Sequence, residues 1–213
     1  MLRRVLPILT VSVLLLSGCS RNGELDSSGG INVTRSACPA VAIPAQTGDV
    51  TLFNPENSTD SRAIDVVAIM TNVRSTCDDA GENIVVNATF DVQARRLKAD
   101  GPRQVIIPYF GTVVRAGRLV VSKSVSRVAI DFADGEQRAT AKGSASATVN
   151  REAATLPQEV RERITRKRKP GDADAAVDPL ADPAVREAVS KASFELLVGF
   201  QLTEAQLRYN ATR

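Results

Sequence analysis

The sequence predicts a mainly β fold, an antiparallel β-sandwich with a small helical insertion before its last strand. Three observations predict it. Apolar and polar residues alternate with a period of two through much of residues 63–149 and again from 193. Clusters rich in Gly, Asp, Asn and Pro punctuate these runs roughly every 8–14 residues. Apolar residues at helical spacing are concentrated in residues 155–191, near the C-terminus. A closed β-barrel is the alternative that the same pattern permits.

Taken in order, Val41 and Ile43, then Val50-Thr51-Leu52-Phe53, read as two short strand pieces around Gln46-Thr47-Gly48-Asp49. Asn54-Pro55-Glu56-Asn57 is a turn cluster. Residues 64–77 form a strong β run. Val67, Ile69, Thr71, Val73 and Cys77 share one phase, and Ile64, Val66, Ala68 and Met70 the other. Apolar residues on both faces place this strand centrally in a sheet. Asp78-Asp79-Ala80-Gly81-Glu82 turns it into residues 83–96, a predicted hairpin. There Ile84, Val86, Ala88, Phe90, Val92 and Ala94 alternate with a mostly polar phase, the mark of a half-buried strand. After Asp100-Gly101-Pro102, residues 105–114 give a further strand. Pro108 assigns it to an edge or a bulge, because proline donates no N–H.

Beyond the Ala116-Gly117 turn, Leu119 and Val121 occupy one phase and Val128, Ile130 and Phe132 the other. The switch predicts a bulge or break near residues 124–126. Ala133-Asp134-Gly135-Glu136 reads as a hairpin turn into 137–149. The inner phase of that strand, Ala139, Ala141, Gly143, Ala145, Ala147 and Val149, is made of small residues, so a neighbour must approach closely. Thr155 and Gln158 match a capping box, and Leu156, Val160 and Ile164 carry a helix to about Lys169. Asp182-Pro183 opens a second short helix with Val185, Ala188 and Val189 on one face. Phe194, Leu196, Val198, Phe200 and Leu202 then define a last strand over 193–209, expected in mid-sheet, with 210–213 as a tail. Seven or eight such strands make an immunoglobulin-like sandwich the expected type, although the Trp of true immunoglobulin domains is missing.

Ahead of this domain, Arg3 and Arg4 precede an apolar run at residues 5–16, interrupted by Pro7, Thr10 and Ser12. The run is shorter than the about 20 residues that span a bilayer and fits a secretory h-region. Leu16-Ser17-Gly18-Cys19 follows. This segment resembles the lipobox of bacterial lipoproteins. The resemblance implies that residues 1–18 are a lipoprotein signal peptide and that Cys19, once exposed by cleavage, carries the lipid. More than one acyl chain gives stable anchoring. Ser20 resembles the outer-membrane sorting residue of this class, which implies the outer membrane at its periplasmic face, with the inner membrane as alternative. A plain secretory signal, cut within Ser17-Gly18-Cys19, competes with the lipobox. Residues 19–37, with Gly23, Ser27-Ser28 and Gly29-Gly30, read as a flexible tether to the domain at 38–209.

Composition narrows the function. Loss of Arg3 and Arg4 takes 27 basic residues to 25, against 24 acidic ones, so overall charge gives no argument for nucleic acid. With no Trp, two Tyr and six Phe, there is little for bases or sugars to stack on. Histidine is absent, which removes Ser-His-Asp triads, Cys-His dyads and His-based metal sites. Neither Ser-x-x-Lys nor Gly-x-Ser-x-Gly occurs. No enzyme, metal or cofactor role is expected. With Cys19 committed to lipid, Cys38 and Cys77 are expected to form a structural disulfide in an oxidising compartment.

Arg161, Arg163, Arg166, Lys167, Arg168 and Lys169 form a basic run that offers a site for lipid phosphates, anionic phospholipid or an acidic partner. The competing account is a solvated helix end, neutralised by Asp172, Asp174, Asp178 and Asp182. The Asp172-Ala173-Asp174 stretch with Asp178 lacks the Gly and Glu that complete an EF-hand, so it reads as an acidic loop. The expected function is therefore a lipid-anchored envelope lipoprotein, a non-catalytic binding or structural module facing the periplasm. Its partners would be the membrane, through the N-terminal lipid, and an envelope protein or anionic lipid. The alternatives are a carrier of an apolar small ligand in a cavity between the sheets, and an enzyme that works without histidine.

Overall fold

The computed structural model describes residues 36–166, 171–173 and 177–212. The lipobox with Cys19, most of the tether, and Lys167, Arg168, Lys169 and Asp174 lie outside them.

The chain is a β-sandwich, as the alternation predicts. Its strands are β1 (Ala40–Ala42), β2 (Asp49–Phe53), β3 (Ile64–Asp78), β4 (Asn83–Arg96), β5 (Arg103–Arg115), β6 (Leu119–Phe132), β7 (Arg138–Asn150) and β8 (Phe194–Phe200). One sheet has the order β1-β8-β5-β6, the other β2-β3-β4-β7. Among the described residues no strand pair joins the two, so the barrel alternative gives way to separate layers. All pairings are antiparallel except β1 with β8. The inward phase of β4 (Ile84, Val86, Ala88, Phe90 and Val92) meets Ile107 and Tyr109 of β5, Ile130 and Phe132 of β6, and Leu196, Val198 and Phe200 of β8 in one buried core. Burying each such large side chain contributes about 1.5–3 kcal/mol.

The predicted β3–β4 hairpin forms, with Val66 opposite Arg96 and Asp78 opposite Val85. Its ladder skips once, between Thr71 and Arg74, so that Asn72 and Val73 stand against Phe90 alone. Asn72 takes φ +51°, a conformation Asn tolerates better than most residues, and its Nδ2 donates to Asp91 Oδ2 at 2.8 Å. The bulge moves the inward phase from Met70 to Val73, which packs on the core. The small residues of β7 admit close neighbours. A Cβ on Gly143 would overlap the ring of Phe90 directly opposite, and a Cβ on Gly111 of β5 would lie 3.0 Å from Ala145 Cβ.

Three strand expectations are corrected. Pro108 is not at an edge, because β5 lies between β8 and β6. The Pro108 carbonyl accepts from Gln201 N–H at 2.9 Å, one residue past the end of β8. A strand residue turns its N and C=O to the same side. The missing donor therefore faces Gln201, just past the end of β8, and forfeits only the reciprocal bond at the very end of that ladder. The expected break at 124–126 is absent, since β6 pairs continuously there; the irregularity lies at Val121, unopposed between the Val113–Ser122 and Val114–Val120 pairs. The 133–136 turn is not a hairpin. It carries the chain from β6 in one sheet to β7 in the other.

The helical part also differs in detail. β7 runs straight into α1 (Arg151–Ala154), and Asn150 caps it by accepting from Ala153 N–H. Thr155 closes α1 instead of capping the next helix, so the expected Thr155–Gln158 box does not form. The following helix, α2, spans Gln158–Thr165 behind Pro157. The predicted Asp182-Pro183 start is where it was expected: α3 spans Pro183–Lys191, and Asp182 accepts from Ala184 N–H at 2.8 Å. The last strand ends at Phe200, well short of 209, and α4 (Glu204–Thr212) follows. A capping box decides this. Thr203 N–H donates to Gln206 Oε1 at 2.9 Å and Gln206 N–H to Thr203 Oγ1 at 3.3 Å.

Candidate functional site

The expected site residues fall in separate places. Cys38 and Cys77 are bonded, with Cα atoms 6.1 Å apart. The bond ties the residues just before β1 to the end of β3, and so one sheet to the other. Of the basic run, Arg161, Arg163 and Arg166 are described. Arg163 Nη2 pairs with Asp182 Oδ2 at 2.8 Å, bracing α2 against the cap of α3. The Asp182 carboxyl is held below its ordinary range first by the Ala184 N–H and then by Arg163. Arg163 and Arg166 line an open hollow of about 530 Å³ whose other walls include Glu159, Glu162, Asp178 and Asp182. Cations and carboxylates are interleaved there. Arg161 turns away from that hollow and lies beside Ala37 and Ile164. Asp178 caps a short 3-10 turn by accepting from Leu180 N–H at 2.9 Å.

A more enclosed cleft of about 380 Å³ opens where β2, the start of β5 and α4 meet. Leu52, Phe53, Ile107, Pro108 and Tyr209 supply apolar walls, and Gln201 an amide. The elements that hold it are well fixed. The Tyr209 ring meets Phe53 edge-to-face at 5.1 Å. Asn210 Nδ2 donates to the carbonyls of Gln46 and Asp49, each at 2.8 Å, so α4 is pinned to the β1–β2 loop. Gln201 Oε1 is buried and meets no hydrogen-bond donor among the described residues. Glu56 is the single carboxylate among the residues lining the cleft. The arrangement suits binding of a largely apolar group with a few hydrogen-bonding atoms.

The sequence reading missed this cleft because it read 201–209 as strand and 210–213 as tail. The signal was present in Thr203-Glu204-Ala205-Gln206, a second match to the same capping pattern that was assigned to Thr155 and Gln158. Comparison with protein-family models, with curated proteins and with solved structures returned no match.

Proposed function

We propose that this chain is a lipid-anchored protein of the bacterial cell envelope, whose sandwich is a non-catalytic binding module facing the periplasm. The observation that carries the reading is the Cys38–Cys77 bond, a linkage that persists in oxidising compartments. It agrees with the lipobox resemblance at Leu16-Ser17-Gly18-Cys19, and Ser20 directs the reading to the outer membrane. Binding is assigned to the cleft under α4, which combines concave shape, apolar walls and a few polar atoms. The apolar-carrier alternative is less favoured, because the space between the sheets is filled by buried side chains such as Phe90, Ile130, Leu196 and Phe200. The basic run is a weaker partner surface, since Arg163 and Arg166 share their hollow with carboxylates and Arg161 lies apart from them.

The test has two arms. Metabolic palmitate labelling of the full chain is expected to mark the native protein and not Cys19→Ser, with the label in the outer-membrane fraction. Absence of label removes the anchor. A photoreactive residue at Ala205, on the rim of the cleft, is expected to capture an envelope component that the same probe at Thr140 does not. Equal capture from both positions removes the cleft.

A further inference from the structure

The β5–β6 hairpin carries a feature that the binding reading does not use. Near its turn Leu119, Val120 and Val121 are consecutive and exposed at 59%, 58% and 54%, and Val125 follows at 56%. Large apolar residues exposed side by side mark an interaction surface. Directly paired residues share a face, so Leu119, opposite Arg115, and Val120, opposite Val114, lie on opposite faces, and the apolar surface wraps both sides of the hairpin end. A rigid protein partner covers one face, whereas a fluid lipid layer accommodates both. The extra residue at Val121 also disrupts the ladder, which disfavours regular pairing with another strand at this edge.

Charge selects the kind of lipid. Between Gly101 and Ile130 the chain carries Arg103, Arg115, Arg118, Lys123 and Arg127, and no Asp or Glu. Arg103, at the far end, is committed to Asp65 by two bonds of 2.6–2.7 Å. Arg115 donates to the Lys191 carbonyl at 2.6 Å and lies over the Phe194 ring. Arg118, Lys123 and Arg127 flank the apolar residues, with Lys123 Nζ 5.2 Å from the Phe110 ring centre. Glu187 of α3 lies within electrostatic reach of Arg118 and is itself paired with Lys191 at 2.8 Å.

We propose that the end of the β5–β6 hairpin docks on an anionic phospholipid surface, Leu119, Val120 and Val121 entering the acyl boundary while Arg118, Lys123 and Arg127 meet the headgroup phosphates. This docking is independent of the lipid at Cys19. It gives the domain a second contact that fixes its orientation on a membrane.

The chain contains no Trp, so Val120→Trp places a single fluorescent reporter at the tip. Lys98→Trp, in a separate protein, places the control in the loop before β5, at the opposite end of the strand. The full chain with Cys19→Ser is mixed with vesicles of phosphatidylglycerol or of phosphatidylcholine. Emission of the tip reporter is expected to shift to the blue and to escape acrylamide quenching on phosphatidylglycerol only, with emission of the control unchanged on both. Adding Arg118→Gln, Lys123→Gln and Arg127→Gln to the tip variant is expected to raise the lipid needed for the half-maximal shift roughly 100-fold. A tip reporter that stays solvent-like on phosphatidylglycerol overturns the proposal. So does an equal shift on both lipids, or a shift that appears without lipid as protein concentration rises, which would assign the surface to a second copy of the chain.

Discussion

At the residue scale, the least expected side chain in the core is Arg96. It occupies the inward phase of β4, after Val92 and Ala94, and is 1% exposed. Among the described residues no carboxylate is its hydrogen-bond partner; carbonyl oxygens accept its hydrogen bonds. Nε donates to the Glu136 carbonyl at 2.7 Å, and Nη2 to the carbonyls of Ala133 at 2.8 Å and Ala99 at 3.2 Å. One side chain thereby holds the β4–β5 turn and the β6–β7 crossover together, over the ring of Phe132. Arg96→Met takes the donor from the Glu136 carbonyl and leaves the Ala133 and Ala99 carbonyls with one backbone donor each, Glu136 N–H and Gly135 N–H, and it is expected to lower stability by about 3 kcal/mol in urea unfolding. Arg96→Lys keeps the charge but loses the fork, so it should recover part of that loss. Asp65 supplies a pH dependence. Bidentate hydrogen bonds from Arg103 hold its carboxyl below the ordinary range, against the opposing effect of burial. A depressed folded-state value means that the contribution is fully present above about pH 4 and fades as pH falls through that value. The urea midpoint of the native protein should exceed that of Asp65→Asn by a constant margin from neutral pH down to about pH 5, and the margin should close below about pH 4. A margin that persists unchanged in acid would show that the pair contributes through shape and not through charge.

At the element scale, α4 decides whether the cleft exists. It is short, and none of its residues is buried, so its position rests on the Thr203–Gln206 box, the Asn210 bonds and the Phe53–Tyr209 contact. Thr203→Ala with Gln206→Ala removes a cap worth about 1 kcal/mol. Hydrogen exchange of residues 204–212 should quicken about fivefold in that variant, with the global unfolding midpoint nearly unchanged. If the midpoint fell as much as the local protection, α4 would belong to the cooperative core. The β-bulges act at the same scale. At Asn72-Val73 a bulge keeps apolar residues inward, whereas on β6 the row facing inward past Val128 is Ser126, Ser124 and Ser122, and the apolar Val121 and Val125 face out.

For the whole molecule, the disulfide is the covalent tie between the layers. It closes a loop between residues 39 apart in sequence, for which the chain-entropy model gives about 4 kcal/mol. Cys38→Ser with Cys77→Ser should lose about that much stability. A reductant should lower the unfolding midpoint of the native protein toward that of the variant and leave the variant itself unmoved. A reductant-insensitive native protein would mean that β1 and β3 stay docked without the bond.

The sequence by itself determined the fold class, the β3–β4 hairpin with its bounds nearly to the residue, the partners in the disulfide and the start of α3. Each of these rests on local information: a period of two, a tight turn, a cysteine count, an Asp-Pro cap. The close approach at β7 was also legible, since small residues in one phase admit Phe90 and the facing sheet. Tertiary structure alone decided the rest. Pro108 sits mid-sheet because β8 stops before it. The 133–136 turn crosses between sheets because β7 finds its partner in β4, not in β6. The cleft depends on α4 reaching back to the loop before β2, a contact between Asn210 and Gln46 that no local pattern encodes. Periodicity reports which face of a strand is buried, and it carries no record of which strand lies alongside.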